Sequence, residues 1–432
     1  MKRVKLLSIL MVCIFAMSSC SSGSNHANDK ALPKEDHAKE ITIEVQDYNT
    51  NFYVNAAKKF EEETGVKVNV INDYKGDSNE DSSATAERIK AELMAGKGAD
   101  LYANTYLDYI VIGKNKHLCN LANWIADEPS FSSNVYYMNI LKYGFNEGDV
   151  YSIPLFMYFS ALSSTIEVPE IEGKSFDWEE FMEFSKGIKR NGVLYAITDQ
   201  MLFDRRFLEK YNQYIDEKNK IQNLNSSDMV KLLEQCKEWS REGLCIPCEA
   251  ENYSELANKA FFQDGSGSDM DRLVNFRFNN PNLKNQNYYY DIPSDSGKDD
   301  KSNKVLPSDI ICINAASPYK GTAWKFVKFL LREDIQATGF FTPVNRNAAD
   351  KHVKKYLDDI KSYYKLKFDA NRIIKESKAI LDSIDEGADN ANKTEIESII
   401  LKESKRFFTN EITAEAAAKN MEDRVKLYFK EQ

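Results

Sequence analysis

Alternation of short β-type and helical segments near the N-terminus restricts this chain to one class of fold. Strands are expected where Ile or Val alternates with polar residues, and helices where apolar residues recur every three to four positions. The chain gives, in order, strand Ile41–Val45, a helix from Phe52, strand Val66–Val70, helix Ala84–Ala95, strand Asp100–Ala103 and helix Tyr106–Ile112. This β-α-β-α-β-α order predicts an α/β fold with a parallel sheet covered by helices.

The later part of the chain predicts a second lobe. It gives, in order, a hairpin of Asp149–Leu155 and Tyr158–Ser164, then helices Trp178–Ile188, Leu202–Tyr214, Ser227–Glu242 and Tyr253–Phe262. Strand Ile310–Ile313 comes only after this long insertion, and four helical segments are expected from Lys351 onward. A strand that returns so late predicts two lobes between which the chain crosses more than once. Because ligands in open α/β sheets bind at the carboxyl ends of strands, we expect a cleft between the lobes.

Composition excludes several functions. The 432 residues include 57 Lys and Arg against 67 Asp and Glu, and the net charge is −10. Duplex nucleic acid is bound mainly by neutralising phosphates with Lys and Arg, so no nucleic-acid partner is expected. The chain has only 4 His residues, and none has the HExxH spacing. Few histidines are therefore available for catalysis. From the charge and composition we expect a soluble acidic protein.

The N-terminus has the pattern of an export signal. Lys2, Arg3 and Lys5 precede the apolar run Leu6–Met17, which at roughly 12 residues is too short to cross a membrane. Ser18 and Ser19 then precede Cys20, which resembles the bacterial lipoprotein box. We expect residues 1–19 to be a lipoprotein signal peptide and Cys20 to carry a lipid (palmitate) anchor. The alternative is an ordinary secretory signal followed by an incidental Cys.

A polar segment follows the proposed lipid site. Residues 20–39 are rich in Ser, Asn, Asp and Lys and have few apolar side chains, as expected of a flexible linker. Together with the signal, the linker predicts a protein anchored on the extracellular face of the cell membrane.

Five cysteines remain after Cys13 and Cys20. They are Cys119, Cys236, Cys245, Cys248 and Cys312. The spacing Cys245-Ile-Pro-Cys248 occurs in redox motifs and in half of a zinc site. With no second CxxC or His pair, a zinc site is not expected. A local disulfide or free thiols are favoured over redox catalysis.

Several segments, in this order, resemble the extracellular solute-binding proteins of carbohydrate-type ABC importers, the maltose-binding-protein-like group. Ala56–Val68 is similar to the first helix and second strand of that family, and Gly148–Pro154 to its GKxYGIP segment. Ala323–Phe326 is similar to its AWKF segment, and Phe341–Asn345 to its PVN segment. One departure is Ser160, where the maltose group has an acidic sugar ligand.

The resemblance implies a fold and a function. It implies a two-lobed periplasmic-binding-protein-like fold (type II), in which each lobe is a mainly parallel sheet flanked by helices. Lobe 1 is expected at 40–156 plus 307–343, and lobe 2 at 157–306 plus 344–432. The implied function is capture of an extracellular sugar or oligosaccharide by hinge closure, and delivery to a membrane permease with its ATPase subunit. The hinge is expected near Pro154–Phe156, Lys304–Ser308 and Thr342–Val344. A monomer without a cofactor, metal or catalytic residue is expected.

Candidate ligand-binding residues are the polar and aromatic residues just after predicted strand ends. Sugars offer apolar faces that stack on aromatic rings, and hydroxyls that form hydrogen bonds with Asp, Asn and Arg. The first lobe supplies Asp47, Tyr48, Asn49, Tyr74, Asn104, Tyr106 and Asp108. The second supplies Tyr158, Ser160, Gln200, Phe203, Asp204, Ser266 and Ser268. Each has a simpler interpretation as an exposed loop residue or a helix-turn charge.

Two other classes of function remain open on sequence. A secreted glycan-active enzyme needs two carboxylates about 5–10 Å apart, which a sequence does not exclude. No nucleophile elbow, P-loop or GxGxxG before a helix is present. A sensing or adhesive lipoprotein would use the same fold without a permease.

Overall fold

The computed structural model describes residues 36–46, 49–72, 79–104, 107–142, 145–146, 148–159, 162–171, 174–264, 288–295, 305–364 and 394–431. The strands are β1 (Glu40–Val45), β2 (Lys67–Ile71), β3 (Leu101–Ala103), β4 (Phe145–Asn146), β5 (Asp149–Val150), β6 (Ile153–Phe159), β7 (Leu162–Ser164), β8 (Ile215–Asp216), β9 (Ile221–Gln222), β10 (Gln263–Asp264), β11 (Tyr288–Tyr290), β12 (Val305–Ile313) and β13 (Thr342–Pro343).

The helices of the described residues alternate with these strands in the first third of the chain and dominate the rest. They are α1 (Thr50–Thr64), α2 (Asn79–Met94), α3 (Tyr109–Lys114), α4 (Ala122–Ala126), α5 (Met138–Leu141), α6 (Trp178–Lys186), α7 (Asp199–Glu209), α8 (Tyr211–Tyr214), α9 (Ser227–Arg241), α10 (Tyr253–Asn258), α11 (Lys320–Leu330), α12 (Glu333–Gln336), α13 (Arg346–Tyr364), α14 (Thr394–Phe408) and α15 (Ala414–Glu431).

The first lobe is built on a six-stranded sheet in the order β13-β6-β12-β3-β1-β2. Strand β1 pairs in parallel with β2 and with β3, as the alternating pattern predicted. Strand β12 runs antiparallel to both β3 and β6, and β13 runs antiparallel to β6. Strand β6 therefore points in the same direction as β1 and β3.

Side chains of this sheet are buried on both faces. Leu101 and Ala103 belong to a core that also contains Phe52 of α1 and Trp324 of α11. Tyr102, which lies between them, points to the opposite face and to a smaller core beneath α2 and α3. This alternation follows from the two-residue repeat of a strand. Helices therefore cover both faces of the sheet, and only its edges remain available for a ligand.

Local sequence signals set several helix ends. Gly65 ends α1 in a left-handed conformation with φ of 75°, which glycine adopts at low cost. Asp177 and Glu180 form a reciprocal capping box at the start of α6. The predicted helix at Leu202–Tyr214 is divided into α7 and α8, and the strand predicted at Ile310–Ile313 begins earlier, at Val305.

The hairpin predicted around Leu155–Tyr158 is wrong. Strand β6 continues through Phe156 and Met157 without a turn and pairs with β12 and β13. Strand β7 leaves the first sheet and becomes the central strand of a three-stranded sheet between β10 and β11. The sequence misled because a strand that is buried on both faces lacks the alternation that marks a hairpin arm.

The second lobe has its own sheet and core. Strands β10 and β11 both pair antiparallel with β7. Parallel pairing in the described part of this lobe is limited to single bridges, Tyr195 to Phe262 and Thr198 to Ile246. Its core contains Trp178, Phe207 and Leu233 together with residues of α14 and α15. In the described part of this lobe, the expected parallel pairing is therefore limited to isolated bridges, and the strands of its three-stranded sheet pair antiparallel.

The boundaries of the first lobe differ from the expected ones at two places. Asp36, placed in the linker on sequence, accepts hydrogen bonds from the backbone N–H groups of Gly321 and Thr322 at 2.8 and 3.1 Å. It thereby caps α11. Helix α13, expected in lobe 2, places Val353 and Leu357 in the core of the first lobe. Of the region in which four helical segments were expected, residues 365–393 lie outside the described residues.

Candidate ligand site at the carboxyl edge of the first sheet

Strand direction identifies the candidate site. The carboxyl ends of β1 and β3 lie level with the first residue of β6, because Ala103 and Ile153 both pair with Ile311. From this edge β6 continues beyond the ends of β1 and β3, paired with the antiparallel strands β12 and β13. Three strand segments expected to be hinges are adjacent here, since Phe156 pairs with both Ser308 and Pro343. The edge therefore combines strand ends, where open sheets bind ligands, with the connections between lobes.

Asn104 lies at the end of β3 and is fixed to strand β12. Its backbone N–H donates to the carbonyl of Ile310 at 3.2 Å. The hydroxyl of Tyr109 donates to the carbonyl of Asn104 and, at 2.7 Å, to that of Ile310. Asn104 is only 3% exposed. The structure thus places this predicted residue in the floor of the edge, in direct contact with a crossing strand.

Asp309 is the most unusual residue of that floor. It lies inside β12 with φ of 50°, a left-handed conformation that costs energy for residues other than glycine, although Asp and Asn tolerate it best. Its carboxylate is buried and accepts hydrogen bonds from the hydroxyls of Tyr53, at 3.1 Å, and Ser308, at 3.2 Å. Burial raises the pKa of Asp309 to about 6, and the neighbouring Asn49, Tyr53 and Ser308 partly oppose this rise.

The Asp309 carboxylate connects two parts of the site. Tyr53 belongs to the first turn of α1, and Asn49 directly precedes that helix. Asn49, which sequence analysis nominated, is 4% exposed and lies beside Asp309. Strand β12 is thereby fixed to the segment that follows β1.

Asp108 has a structural role in the described conformation. Its side chain caps α3 by accepting a hydrogen bond from the backbone N–H of Val111 at 3.0 Å. The residue is half-buried and lies four positions after Asn104 along the same edge. This is the helix-turn role that the simpler interpretation predicts.

The second-lobe candidates on α7 lie inside their lobe. Phe203 is fully buried and its ring packs 6.2 Å from that of Phe207 and 5.9 Å from that of Phe408. Gln200 donates from Nε2 to the carbonyl of Leu401 at 3.0 Å. Helix α7 packs between α9 and α14, which buries the face that sequence analysis assigned to the cleft. Phe203 presents no surface to a ligand, and its nomination is not supported.

Asp204 forms part of a carboxyl pair between α7 and α14. Burial, and then the charge of Glu397, raise the pKa of Asp204 well above its usual range. Two carboxyl groups held together in this way favour a shared proton over two charges. This pairing explains why a charged residue is tolerated on the packed side of α7.

Other nominated positions fall outside the described residues. They are Asp47, Tyr48, Tyr74, Tyr106, Ser160, Ser266 and Ser268, together with Cys20. Tyr158 lies in β6, two residues after Phe156, and its side chain is outside the described atoms.

Sequence analysis missed residues that precede strands. It searched only after strand ends, whereas β12 brings Ser308 and Asp309 to this edge from the other direction. A signal for both was present, because two adjacent polar residues directly before Ile310–Ile313 are unusual at a strand that is otherwise apolar.

A second depression lies away from this edge. A groove of about 540 Å³ follows α9 in the second lobe. Its lining alternates in charge and consists of Lys186, Lys231, Glu234, Gln235, Lys237, Glu238, Trp239, Arg241, Glu242 and Phe407. Mixed charges at three- and four-residue spacing are typical of a solvated helix face.

The CxxC segment lacks the environment of a reactive thiol. Cys236, Cys245 and Cys248 are free thiols, and the first two are buried. Burial, together with the nearby Asp199 carboxylate, raises the pKa of Cys248 to about 11. Burial also raises the pKa of Cys236 to about 12. Redox cysteines require the opposite, a lowered pKa, since the thiolate is the nucleophile.

We expect these thiols to react slowly in the native protein. At pH 7.5 a disulfide reagent such as DTNB should modify Cys248 at least tenfold more slowly than it modifies free glutathione, because little thiolate is present. In denaturant all five remaining cysteines of the chain from residue 21 should react. Loss of the slow native phase in a Cys248→Ser variant identifies the residue. Rapid native labelling of Cys248 would contradict the assignment.

Comparison with known proteins agrees with this geometry. The family model described as bacterial extracellular solute-binding protein matches residues 55–365. The chain therefore belongs to the bacterial extracellular solute-binding protein family, and its substrate-binding role is confirmed at that level. The family is exported and binds substrates. A search of curated proteins found no matching relative.

Solved structures show the same fold at low sequence identity. An ABC transporter solute-binding protein from Thermotoga lettingae, bound with α-D-tagatose, is 16% identical with a TM-score of 0.62 over 91% of this chain and 100% of its own. MalE3 of T. maritima, bound to maltose, is 18% identical with a TM-score of 0.60 over 90% and 99%. An ABC substrate-binding protein from Listeria monocytogenes, in complex with cycloalternan, is 14% identical with a TM-score of 0.63 over 91% and 99%. The predicted two-lobed α/β fold is confirmed.

Two kinds of feature are absent from the described residues. Among them, no helix combines the length and apolar character that a membrane span requires. Within the same ranges, no three His, Cys, Asp or Glu side chains are grouped as metal ligands.

Proposed function

We propose that this protein is the substrate-binding lipoprotein of an ABC importer and captures a sugar or oligosaccharide in the cleft between its lobes. Ligand would contact both lobes and stabilise a closed state, which a membrane permease and its ATPase then recognise. The observation that carries the proposal is the convergence of Asn49, Asn104 and Asp309 on the sheet edge from which β6 and β12 lead between the lobes.

Carbohydrate is favoured as the ligand for two reasons. The three structural neighbours named above were solved with tagatose, maltose and cycloalternan. The described edge also offers the hydrogen-bonding side chains of Asn49 and Asn104 and the buried carboxyl group of Asp309, which suit the hydroxyl groups of a polyol. Asp47, Tyr48, Tyr74, Tyr106, Asp108, Tyr158, Ser160, Ser266 and Ser268 complete the proposed site.

The proposal extends to attachment and mechanism. Cys20 would carry the lipid, and a monomer on the extracellular face of the membrane would release its ligand unchanged. A sensing or adhesive lipoprotein would bind the same ligand without a permease. A glycan-active enzyme would convert it.

A thermal-shift screen tests the proposal. The chain from residue 21 should be used, because a start at residue 38 would remove the Asp36 cap of α11. Saccharides and polyols are compared with amino acids. At a concentration 100 times Kd, a ligand specific for the native state adds about 2.7 kcal/mol of stability, which should raise the melting temperature by several degrees.

Two variants locate the binding site. Asn49→Ala and Asn104→Ala should weaken binding of the ligand at least tenfold, as measured by calorimetry. Asn219→Ala is the matched control, because the hydrogen bonds of Asn219 within the described residues go to Asp216 in the β8–β9 turn of the second lobe. Mass spectrometry of the recovered ligand distinguishes binding from catalysis. A screen in which amino acids but no saccharides bind would contradict the carbohydrate assignment, and consumption of the ligand would contradict the binding role.

A further inference from the structure

Three short loops meet at the edge of the first sheet that lies opposite the candidate ligand site. Strand β12 ends at Ile313, beside the first residue of β3. The side chain of Asn314, the next residue, donates a hydrogen bond to the carbonyl of Lys97 at 2.9 Å. The backbone N–H of Ala315 donates to the carbonyl of His117 at 3.0 Å. The loops before β3, after α3 and after β12 are therefore held together at the amino end of β3.

These loops carry a group of lysines, which we call the lysine face. It consists of Lys97, Lys114, Lys116 and Lys320. The first three are exposed, and the fourth is half-buried. Two exposed apolar side chains accompany them, since Met94 at the end of α2 is 60% exposed and Tyr319 directly before α11 is 38% exposed. Cationic side chains beside exposed apolar and aromatic groups are typical of a surface that contacts lipid headgroups.

Acidic groups close to the lysine face are paired or lie on the other side of the sheet. Asp100 accepts hydrogen bonds from a backbone N–H of β1 at 2.8 Å and from the hydroxyl of Ser317 at 2.5 Å. Glu92 is paired with Arg88 at 2.9 Å. The acidic last turn of α1, Glu61–Glu63, belongs to the helix that covers the opposite face of the sheet from α2 and α3. The lysine face is therefore locally basic, although the whole chain has a net charge of −10.

The chain also enters the first lobe at this edge. Asp36 caps α11, whose first residue is Lys320 of the lysine face. Strand β1 then begins at Glu40 and runs toward the candidate ligand site, and its six residues span about 17 Å. The proposed lipid on Cys20 is only 16 positions before Asp36. Membrane attachment would therefore act on the edge of the sheet that carries the lysine face.

We propose that the lysine face lies on anionic phospholipid headgroups in the anchored protein, which turns the candidate ligand site away from the membrane. Lysine ammonium groups are attracted to the negative surface potential of such a membrane, and Met94 and Tyr319 would lie at the level of the headgroups. Four lysines give weak and reversible binding, so the protein can still leave the lipid surface to reach a permease. This orientation rests on the membrane attachment that is part of the proposed function.

Vesicle binding by the chain from residue 21 tests the lysine face without the lipid anchor. We expect the protein to co-sediment with vesicles of phosphatidylglycerol and phosphatidylcholine in equal parts, and not with vesicles of phosphatidylcholine alone. Binding should weaken at least tenfold when NaCl is raised from about 0.05 M to about 0.3 M, because salt screens exposed charges.

Two triple variants show whether the lysine face is responsible. Combined Lys97→Gln, Lys114→Gln and Lys116→Gln should weaken vesicle binding at least tenfold. The matched control removes the same charge from exposed positions of the second lobe, and it should stay within about threefold of wild type. It combines Lys218→Gln, Lys231→Gln and Lys402→Gln. Both variants should keep the melting temperature of wild type, because exposed lysines contribute little to the core.

A fluorescent label reports which face meets the lipid. The dye NBD attached to a Met94→Cys variant should shift its emission to the blue when phosphatidylglycerol vesicles are added, because the dye enters a less polar environment. Ile221→Cys is the matched control. Ile221 is 59% exposed, nearly as much as Met94, but lies in β9 of the second lobe. Its label should not shift.

Several outcomes would overturn the assignment. They are equal binding to vesicles without phosphatidylglycerol, equal losses in the two triple variants, and a blue shift at position 221 but not at 94. Binding to soluble polyphosphate but not to vesicles would show that the face takes a soluble polyanion and would also overturn it. All of these leave saccharide binding untouched, and the lysine-face triple variant should bind the saccharide as wild type does. Conversely, failure of the wild-type chain to bind any saccharide overturns the proposed ligand and leaves the vesicle result standing.

Discussion

Arg206→Ala is expected to lower the free energy of unfolding by about 3–5 kcal/mol, the usual cost of removing one partner of a buried ion pair. Arg206 is 1% exposed and lies in the centre of the second lobe. Its Nε is 2.7 Å from Oδ2 of Asp295, and its Nη1 donates to Oε1 of Gln235 at 2.6 Å. The guanidinium also lies 4.8 Å above the ring of Trp239. The alanine variant would leave Asp295, which is 5% exposed, with Lys210 as its remaining cation in the described structure.

Arg241→Ala is the matched control for this prediction. Arg241 pairs with Glu238 at 3.1 Å on the solvent side of α9, with side-chain exposures of 64% and 58%. Exposed pairs of this kind contribute about 0–1 kcal/mol. Urea denaturation followed by circular dichroism measures both variants. Equal, small losses in the two variants would show that the buried network contributes no more than a surface pair.

Asp309→Asn is expected to make the protein more stable than wild type above pH 6. The pKa of Asp309 is raised from 3.8 to about 6 in the folded state, mainly by burial. The folded state therefore binds the proton more tightly than the unfolded state does. This group contributes its full stability below about pH 4, and the contribution is lost as pH rises to about 6. A shift of roughly two units corresponds to a loss of about 3 kcal/mol.

The asparagine variant removes this titration while keeping the local geometry. Asn tolerates the left-handed conformation, and its carboxamide oxygen can still accept from Tyr53. We expect unfolding free energies of wild type and variant to diverge between pH 4 and 7, with the variant higher at pH 7. Asp334→Asn should change in the opposite direction. There, hydrogen bonds from Arg332 and Lys59 outweigh burial and lower the pKa to about 2. Parallel pH profiles for Asp309→Asn and wild type would contradict the prediction.

Both predictions concern residues whose importance depends on partners far away in sequence. Arg206 meets Asp295 across 89 positions, and Tyr53 meets Asp309 across 256. Neither pair has a spacing that a sequence pattern reveals. The burial of the nominated Phe203 was also not predictable from local sequence. The ring of Phe408, which packs against it, lies far along the chain on α14.

The sequence by itself determined the order of elements, the parallel arrangement of β1, β2 and β3, and the family. Those features depend on local periodicity and on residues such as Gly65 and Asp177, whose preferences act within a few positions of the chain. Only the tertiary structure decided which edge carries the candidate site, that β6 continues without a turn, and that the α7 candidates are internal. It also placed Asp309 at that edge. The physical reason is that burial and strand neighbours depend on packing between distant segments, which local propensity does not encode.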